Sequence, residues 1–286
     1  PSSLGGGCPF QAGKAGFVPF PEPVETDEVR GKPEKFAEHY NQATLFFESQ
    51  TAVEQAHIVA AFRFELSKLT VPAIRTRVIS MLMNASLKLA QDVADGLGMV
   101  LPEAMPRAID PVPTAEVAIS PALSLMARPG DGSVRTRKVA ILVAEGVVGE
   151  SVTAVQAALL AAGAVGRLVG PRIGPLMTAE GEALDADASL ENEAPSLFDG
   201  LVLPDGEAAV ALLAADGRTM EFIRDQHRQS KTIVAIGGSS VLLELAQVEP
   251  GMGVERAASG RAGAKALIAG LKKHRHFERE QDPPRV

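Results

Sequence analysis

Two glycines stand where the sequence pattern of an α/β protein would place a nucleophile. The stretch TIVAIGGSSVLLELA, residues 232–246, reads as a buried strand, a tight turn and a helix. Many α/β enzymes mount a reactive Ser or Cys at such a turn. Here the turn carries Gly237 and Gly238, and glycine has no side chain that could attack a substrate. Ser239 and Ser240 lie beyond the turn, and we expect them to cap the following helix rather than to react.

Two carboxylates follow other predicted strands of the same region. Glu145 and Asp205 each come directly after an apolar run, and a pair of acids at one edge of a sheet can carry out acid–base chemistry. No candidate nucleophile or metal ligand accompanies them, so we interpret them as solvated loop acids.

The histidines near the C-terminus give no metal site. His274 and His276 are two positions apart, which separates them by about 200° around a helix, so that they cannot bind one ion from the same face. We interpret the run KKHRHFERE, residues 272–280, as a solvated helix end whose cations suit the helix dipole. We therefore assign no catalytic, cofactor-binding or metal-binding residue in this sequence.

The composition excludes several classes of partner. With 286 residues and 46% hydrophobic content, the chain is long enough for about two folded domains. A net charge of −7 argues against nucleic acid, which needs a basic surface. Apolar runs such as residues 139–144 are far shorter than the roughly 20 residues of a membrane span, so we expect no membrane partner. The single cysteine, Cys8, cannot form an internal disulfide, which fits a cytoplasmic setting.

The first 32 residues are rich in Gly and Pro and predict an extended backbone. Phe10, Phe17 and Phe20 are spaced through this segment. A solvated linker seldom carries three phenylalanines, so we predict that residues 1–32 form an extended arm that lies across another surface. A disordered tail is the alternative.

Residues 33–98 change to helical spacing and predict a unit of four short helices. The first begins near Pro33, the second spans 52–68, the third begins near Pro72 and the fourth follows the N-cap Ser86. The predicted apolar stripes are Phe36, Tyr40, Ala43 and Phe47; Ile58, Val59, Phe62, Leu66 and Leu69; Ile74, Val78, Met81 and Leu82; and Leu87, Ala90, Val93 and Leu97.

Two apolar residues of this helical unit lie off the predicted stripes. Leu45 and Phe64 point away from the predicted core. They favour a second buried face that packs against something outside this chain, and ordinary scatter of apolar residues on a surface is the alternative.

The rest of the chain divides into a linker and an α/β domain. Residues 99–134 contain six prolines and predict a semi-rigid linker. In residues 135–286, short apolar strands alternate with helices, which predicts a flavodoxin-like, three-layer α/β domain with a mainly parallel sheet. The overall fold class is thus α plus α/β. Predicted strands are 138–144, 164–170, 200–206 and 232–237; predicted helices are 150–162, 207–215, 218–229, one from 239, and 261–274; and 175–187 is a predicted hairpin that turns at Glu180 and Gly181.

Two stretches resemble known families. HYNQATLFFESQT followed by EQAHIVAAFRFEL, residues 39–51 and 54–66, is similar to the helical region that follows the haem-bearing barrel in catalases. The turn at Gly237 resembles the elbow of class I glutamine amidotransferase-like domains, including the PfpI type, where A-I-C-H-G is typical. Ala235 and Ile236 match that motif, whereas glycines replace its Cys and His.

The combination of these domains is typical of large-subunit haem catalases. The resemblance implies that the chain is the C-terminal region of such an enzyme without its haem-binding barrel, and that the parent enzyme converts hydrogen peroxide to water and oxygen. It also implies a haem held by a Tyr, but the only tyrosine is Tyr40, inside a helical segment. We therefore expect no cofactor in this chain, with haem in the parent enzyme. The implied partners are the haem-domain portion and the other subunits of a tetramer.

Three functions follow as hypotheses. The first is a non-catalytic region that stabilises and assembles the subunits of a catalase. The second is a holdase-type chaperone activity of the separated fragment, with unfolded client proteins as partners, because exposed apolar faces can capture such chains. The third is a small-molecule hydrolase or amidotransferase that would use Ser239 and Glu145.

Overall fold

The structure is a computed structural model, and it describes residues 21–28, 30–31, 34–127 and 130–284. The predictions for Cys8 and for the three phenylalanines of the arm lie outside these residues. The chain forms two compact units. The first comprises the residues up to Gln50 together with Gln55–Ser120, and the second comprises Thr51–Glu54 and the residues from Pro121 onward.

The helical unit contains the four predicted helices. They are α1 (Tyr40–Glu48), α2 (Ala52–Ser67), α3 (Pro72–Leu82) and α4 (Leu87–Gly96), and a short 3-10 helix (Glu34–Ala37) precedes them. Ser86 caps α4 as predicted, because its Oγ accepts a hydrogen bond of 3.5 Å from the backbone N–H of Leu89. Gly98, with φ of +64°, follows the end of α4.

The core of this unit corrects part of the predicted stripes. Phe36 is 73% exposed and Leu87 is 59% exposed, so both assignments to the core are wrong. The assignments of Ala43, Ile74 and Met81 are wrong too, because all three are exposed. Helix α1 begins only at Tyr40, so Phe36 does not belong to this helix and does not share its buried face. Leu87 lies on the outer side of the first turn of α4. Ile79 on α3 and Leu89 on α4 are buried, although neither was in a predicted stripe. The predicted stripe of α2 is confirmed, and Phe64, which lies off it, is 62% exposed.

The Pro-rich segment after α4 is fastened to the helical unit over its first part. The backbone N–H of Met105 donates to the Ser80 carbonyl at 3.0 Å, and the side-chain amide of Asn84 donates to the Met105 carbonyl at 2.7 Å. Arg107 donates to the Asn84 carbonyl at 2.8 Å and lies 3.6 Å from the carboxylate of Glu38.

The second unit is built on a six-stranded sheet with the order β5-β2-β1-β6-β7-β8, in which every neighbouring pair is parallel. Strands β3 and β4 form the predicted antiparallel hairpin, and Gly181 at its turn has φ of +84°. Without the two-residue β5, the sheet has the 2-1-3-4-5 strand order of flavodoxin-like proteins. The strands are β1 (Lys138–Leu142), β2 (Val165–Gly170), β3 (Gly174–Met177), β4 (Ala183–Ala186), β5 (Ala188–Ser189), β6 (Gly200–Leu203), β7 (Thr232–Ile236) and β8 (Val254–Ala257).

Helices cover both faces of this sheet. Helices α5 and α9 pack together on one face, and α6, α7 and α8 pack together on the other. Strands β1, β6 and β7 are almost wholly buried between them, which explains their continuous apolar sequences. These helices are α5 (Gly149–Ala161), α6 (Glu207–Ala214), α7 (Gly217–Arg228), α8 (Ser240–Leu245) and α9 (Gly260–Lys273). The predicted class of α plus α/β is confirmed.

Candidate functional site

The switch point of the sheet lies between β1 and β6, where the strand order changes direction. Ligands of open parallel sheets bind beside such a point, at the carboxyl ends of the strands. Three loops lie at this edge of the sheet, after the carboxyl ends of β1, β6 and β7. They carry Glu145, Asp205 and Gly237, respectively. They form the candidate site.

Gly237 adopts a backbone conformation that suits glycine, with φ of +57°. A Cβ at this position would lie 3.1 Å from the Cβ of Asp205 and 3.2 Å from its Oδ2. A side chain here would therefore require both a left-handed backbone and a shift of Asp205. Gly238 has no such neighbour within 4 Å.

Ser239 is fully buried and corrects the prediction that it caps the following helix. Its Oγ accepts a hydrogen bond from the Ile236 N–H at 2.9 Å and lies 2.6 Å from the Leu203 carbonyl, to which it donates. It makes no side-chain cap to α8. A capping side chain usually needs an extended backbone, whereas Ser239 is helical, with φ of −68° and ψ of −9°. The hydroxyl therefore joins the ends of β6 and β7.

Ser240, the second predicted cap, is the first residue of α8 and is half-buried. The N-cap position belongs to Ser239, so the prediction for Ser240 is also wrong. Ser240 follows the N-cap directly, as the first residue of the helix.

Glu145 is held by the β3–β4 hairpin. Its Oε2 accepts a hydrogen bond of 3.0 Å from the Met177 N–H, and the Gly146 N–H donates to the Met177 carbonyl at 2.8 Å. Further along the hairpin, Glu180 accepts from the Gly149 N–H at 2.9 Å. This bond to the first turn of α5 lowers the pKa of the Glu180 carboxyl. The hairpin thus accepts hydrogen bonds from the N–H groups of Gly146 and Gly149, at the two ends of this loop.

Asp205 lies at the centre of the three loops and is half-buried. Its carbonyl accepts from the Val148 N–H at 2.9 Å, whereas its buried Oδ1 has no hydrogen-bond partner among the described residues. A Cβ on the next residue, Gly206, would come within 2.4 Å of the Gly146 carbonyl oxygen. Close backbone packing therefore fills this part of the edge. Glu145 and Asp205 are brought to one edge of the sheet, as predicted. The interpretation of Asp205 as a solvated loop acid is wrong, because its Oδ1 is buried.

The single tyrosine of the sequence does not lie as an accessible haem ligand. Tyr40 begins α1 and is buried, with the His39 ring centroid 4.4 Å from its own and the Arg107 guanidinium 5.1 Å from its ring centre. A haem iron needs an accessible Tyr, His, Cys or Met ligand. Within residues 21–28, 30–31, 34–127 and 130–284, no three His, Cys, Asp or Glu side chains are grouped to hold a metal ion. Among the same residues, no helix is both long and apolar enough to cross a membrane.

The C-terminal segment, residues 274–280, corrects the interpretation of a solvated helix end. Helix α9 stops at Lys273, and His276 beyond it is only 3% exposed, with Nε2 3.0 Å from the Thr232 hydroxyl. Arg279 donates to the carbonyls of Met252 and Lys231, each at 2.7 Å. The segment thus lies against the N-terminal ends of β7 and β8. The charged sequence of this segment did not indicate burial, because Arg279 donates to backbone carbonyls and a sequence does not show which carbonyls are free to accept.

Burial perturbs several titratable groups near this segment. Burial, followed by the charge of Arg279, lowers the pKa of His276 and lowers that of His227 to about 4. Burial also lowers the pKa of Arg279 to about 10 and that of Lys231 to about 8. The Lys231 ammonium donates to the carbonyls of Pro195 and Ser196 at 3.0 and 3.2 Å. Lys231 and Arg279 act as structural cations, because each donates to backbone carbonyls.

A groove runs between α5 and α9, on the face of the sheet that these two helices cover. Its volume is about 760 Å³. Sequence reasoning missed it, although small residues recur at helical spacing in both helices and were the available signal. The lining includes Ala157, Ala158, Ala264, Arg261, Lys265 and Lys272.

Family models match both units of the chain. The model for the catalase-related immune-responsive domain matches residues 33–97. The model for the C-terminal domain found in long catalases matches residues 135–281. The chain therefore belongs to the family of long catalases, of which it carries these two C-terminal domains, and the resemblance found in the sequence is confirmed.

Particular relatives agree with this family. Catalase HPII of Pseudomonas putida is 35% identical over 98% of this chain, and Catalase HPII of Pseudomonas aeruginosa is 33% identical over 98%. Catalase-B of Dictyostelium discoideum is 29% identical over 100%. The chain spans 39% of the length of each Pseudomonas protein and 42% of the Dictyostelium protein.

Proposed function

We propose that this chain is the non-catalytic C-terminal region of a haem catalase and that it stabilises and assembles the subunits of that enzyme. The parent reaction converts hydrogen peroxide to water and oxygen, with haem in a portion of the parent outside this chain. The partners are that haem-bearing portion and the other subunits of a tetramer. The single cysteine of the sequence supports a cytoplasmic setting as part of the proposal.

The observation that carries the proposal is the turn at Gly237. The candidate site has the strand order and the loop positions of an α/β enzyme, yet Gly237, at the turn after β7, has no side chain. The buried Ser239 hydroxyl is committed to backbone groups. Such a domain can contribute rigidity and surface. The same commitment argues against the hydrolase or amidotransferase hypothesis, since a buried, bonded hydroxyl is a poor nucleophile.

A hybrid catalase tests the proposal. The C-terminal part of Pseudomonas putida Catalase HPII that this chain matches is replaced by this chain and, in a second protein, is deleted. We expect the hybrid to retain peroxide consumption for longer than the deletion protein during heating, and to keep the subunit composition of the natural enzyme in light scattering. Equal inactivation rates of the hybrid and the deletion protein would contradict a stabilising role.

The isolated chain provides the complementary measurement. After expression with a haem supply, we expect neither a Soret band nor peroxide consumption above that of buffer. A stoichiometric Soret band would overturn the assignment of haem to another part of the parent.

Exposed aromatic residues favour a second candidate function, the holdase activity of the separated chain. Phe46 on α1 and Phe64 on α2 are both exposed in the helical unit, and exposed apolar surface binds unfolded chains. Suppression of the thermal aggregation of a client protein at near-stoichiometric amounts tests this function. Phe64→Ser should weaken the suppression, whereas Leu160→Ser, at a residue of the other unit that is 79% exposed, is the matched control. Equal suppression by both variants, or none by the natural chain, would dismiss it.

A further inference from the structure

The α5–α9 groove combines a floor of small side chains with a cationic margin. Arg261, Lys265 and Lys272 are exposed along α9. None of the three has an ion-pair partner among the residues that the structure describes. Alanine side chains between them allow a backbone to approach the floor closely, while the long cationic side chains can reach over it. The groove is therefore suited to an extended, acidic segment.

The chain itself contains such a segment. Residues 21–28, PEPVETDE, are all exposed, and their two prolines favour the extended polyproline conformation. None of their carboxylates has an ion-pair partner within the described residues. The four acidic residues are Glu22, Glu25, Asp27 and Glu28.

We propose that the α5–α9 groove of one molecule binds the acidic segment 21–28 of a second copy of this chain. We assign the segment to a second copy because the function proposed above is the assembly of subunits, and the cations of the groove complement the four carboxylates of the segment. This inference specifies a surface for the assembly role proposed above and in that sense rests on it.

The dimensions of the two partners agree. In the polyproline conformation, with a rise of about 3.1 Å per residue, Glu22 and Glu28 lie about 19 Å apart. Along α9, with a rise of about 1.5 Å per residue, Arg261 and Lys272 lie about 16 Å apart. The acidic side chains can therefore meet cations along the whole length of the groove, and Val24 between them supplies an apolar side chain for the alanine floor.

Binding of a labelled peptide to the full chain tests the contact directly. The probe is a fluorescent peptide of residues 21–31, and its fluorescence anisotropy is followed as the chain is added. We expect saturable binding that weakens as salt is raised. A peptide in which the three Glu are changed to Gln and Asp27 to Asn is the neutral control, and equal binding of both peptides would overturn the proposal.

Charge reversal locates the binding site. Lys265→Glu with Lys272→Glu should weaken peptide binding by about tenfold, since each reversal replaces an attraction with a repulsion of similar size. Arg77→Glu with Arg172→Glu is the matched control, because both arginines are exposed and the change in net charge is the same. Circular dichroism verifies that both variants fold. Equal losses in the two variants would show a general effect of net charge and overturn the assignment of the groove.

Sedimentation equilibrium tests the second copy. We expect the natural chain and the Arg77/Arg172 control to associate with increasing concentration, and the Lys265/Lys272 variant to remain at a lower mass. A natural chain that stays monomeric at concentrations where the peptide binds would overturn docking between copies. The hybrid catalase test measures heat inactivation of the joined enzyme, so loss of groove binding and loss of the stabilising function give separate results.

Discussion

Gly206 and Gly237 bring the loops after β6 and β7 against their neighbours because each lacks a Cβ. At Gly206, with φ of +129°, the nearest atom to an added Cβ would be the Gly146 carbonyl oxygen, at 2.4 Å. At Gly237 it would be the Cβ of Asp205. Both positions combine a left-handed backbone with close packing. The carboxyl edge of the sheet is thus shaped by backbone, at the place where an α/β enzyme positions reactive side chains.

Gly237→Ala should destabilise the α/β unit by about 1–2 kcal/mol, which is the typical cost of a left-handed conformation for an L-residue. Urea unfolding followed by far-UV circular dichroism measures the free energy of unfolding. Gly238→Ala is the matched control, because Gly238 lacks a positive φ and a Cβ added there would meet no atom within 4 Å. Equal effects at the two positions would refute the importance of the left-handed turn.

Ser239→Ala should lower the free energy of unfolding by about 1–3 kcal/mol, because it leaves the buried Ile236 N–H and Leu203 carbonyl without their partner. The same urea experiment measures the loss. Ser240→Ala, at the adjacent half-buried serine, should change stability by less than about 0.5 kcal/mol. If Ser239→Ala is as mild as its neighbour, the hydroxyl does not join the two strands.

The C-terminal segment is the element whose role the sequence concealed most. Its ordering depends on backbone carbonyls of Met252 and Lys231, which accept from Arg279, and on the Thr232 hydroxyl beside His276. At Gly253, an added Cβ would lie 2.1 Å from the His276 ring. The absence of a side chain there makes room for the imidazole. The element therefore closes the N-terminal edge of the sheet by polar contacts inside a packed site.

His276 in this segment and His227 on α7 make stability depend on pH. The pKa of His276 is lowered and that of His227 is lowered to about 4, below the unfolded value of about 6.5. Protonation therefore favours the unfolded chain. The stabilisation is present above about pH 6.5 and is lost as the pH falls toward the folded values, with a slope of up to about 1.4 kcal/mol per pH unit for each proton.

His276→Gln should flatten this dependence as the pH falls below about 6.5, because its proton no longer contributes. Urea unfolding at a series of pH values gives the slope. His39→Gln, at an exposed histidine of the helical unit, is the matched control. Identical pH profiles for the natural chain and His276→Gln would assign the acid sensitivity to other groups.

Periodicity predicted elements well where one face is buried against the same domain. The central strands of the sheet and the α2 stripe were predictable because their apolar residues are continuous or regularly spaced. Strand β8, VERA, was not, since Glu255 and Arg256 are exposed on an edge strand. Phe36 was misassigned because helical spacing continues beyond the true start of α1. At the candidate site, Gly237 in the sequence predicted that the turn carries no nucleophile. The hydrogen bond of Ser239 to the Leu203 carbonyl was not predictable, because β6 is distant from Ser239 in the sequence.

At the scale of the whole molecule, the two units differ strongly in the size of their cores. Among the described residues, the main cluster of the helical unit contains eight buried apolar residues, and that of the α/β unit contains 38. Small domains bury a smaller fraction of their surface and are correspondingly marginal. The helical unit should therefore be the less stable part of the isolated chain, which agrees with its proposed role of packing on another part of a catalase.

The single tyrosine makes this difference measurable. Tyr40 is the only Tyr and the sequence has no Trp, so tyrosine fluorescence reports the helical unit alone, while far-UV circular dichroism reports both units. During urea unfolding we expect the fluorescence transition at a lower midpoint than the main dichroism transition. Ser239→Ala should shift only the latter, because its contacts lie within the α/β unit. Coincident transitions that move together in this variant would mean that the two units unfold as one cooperative body, and the smaller core would then owe its stability to the larger.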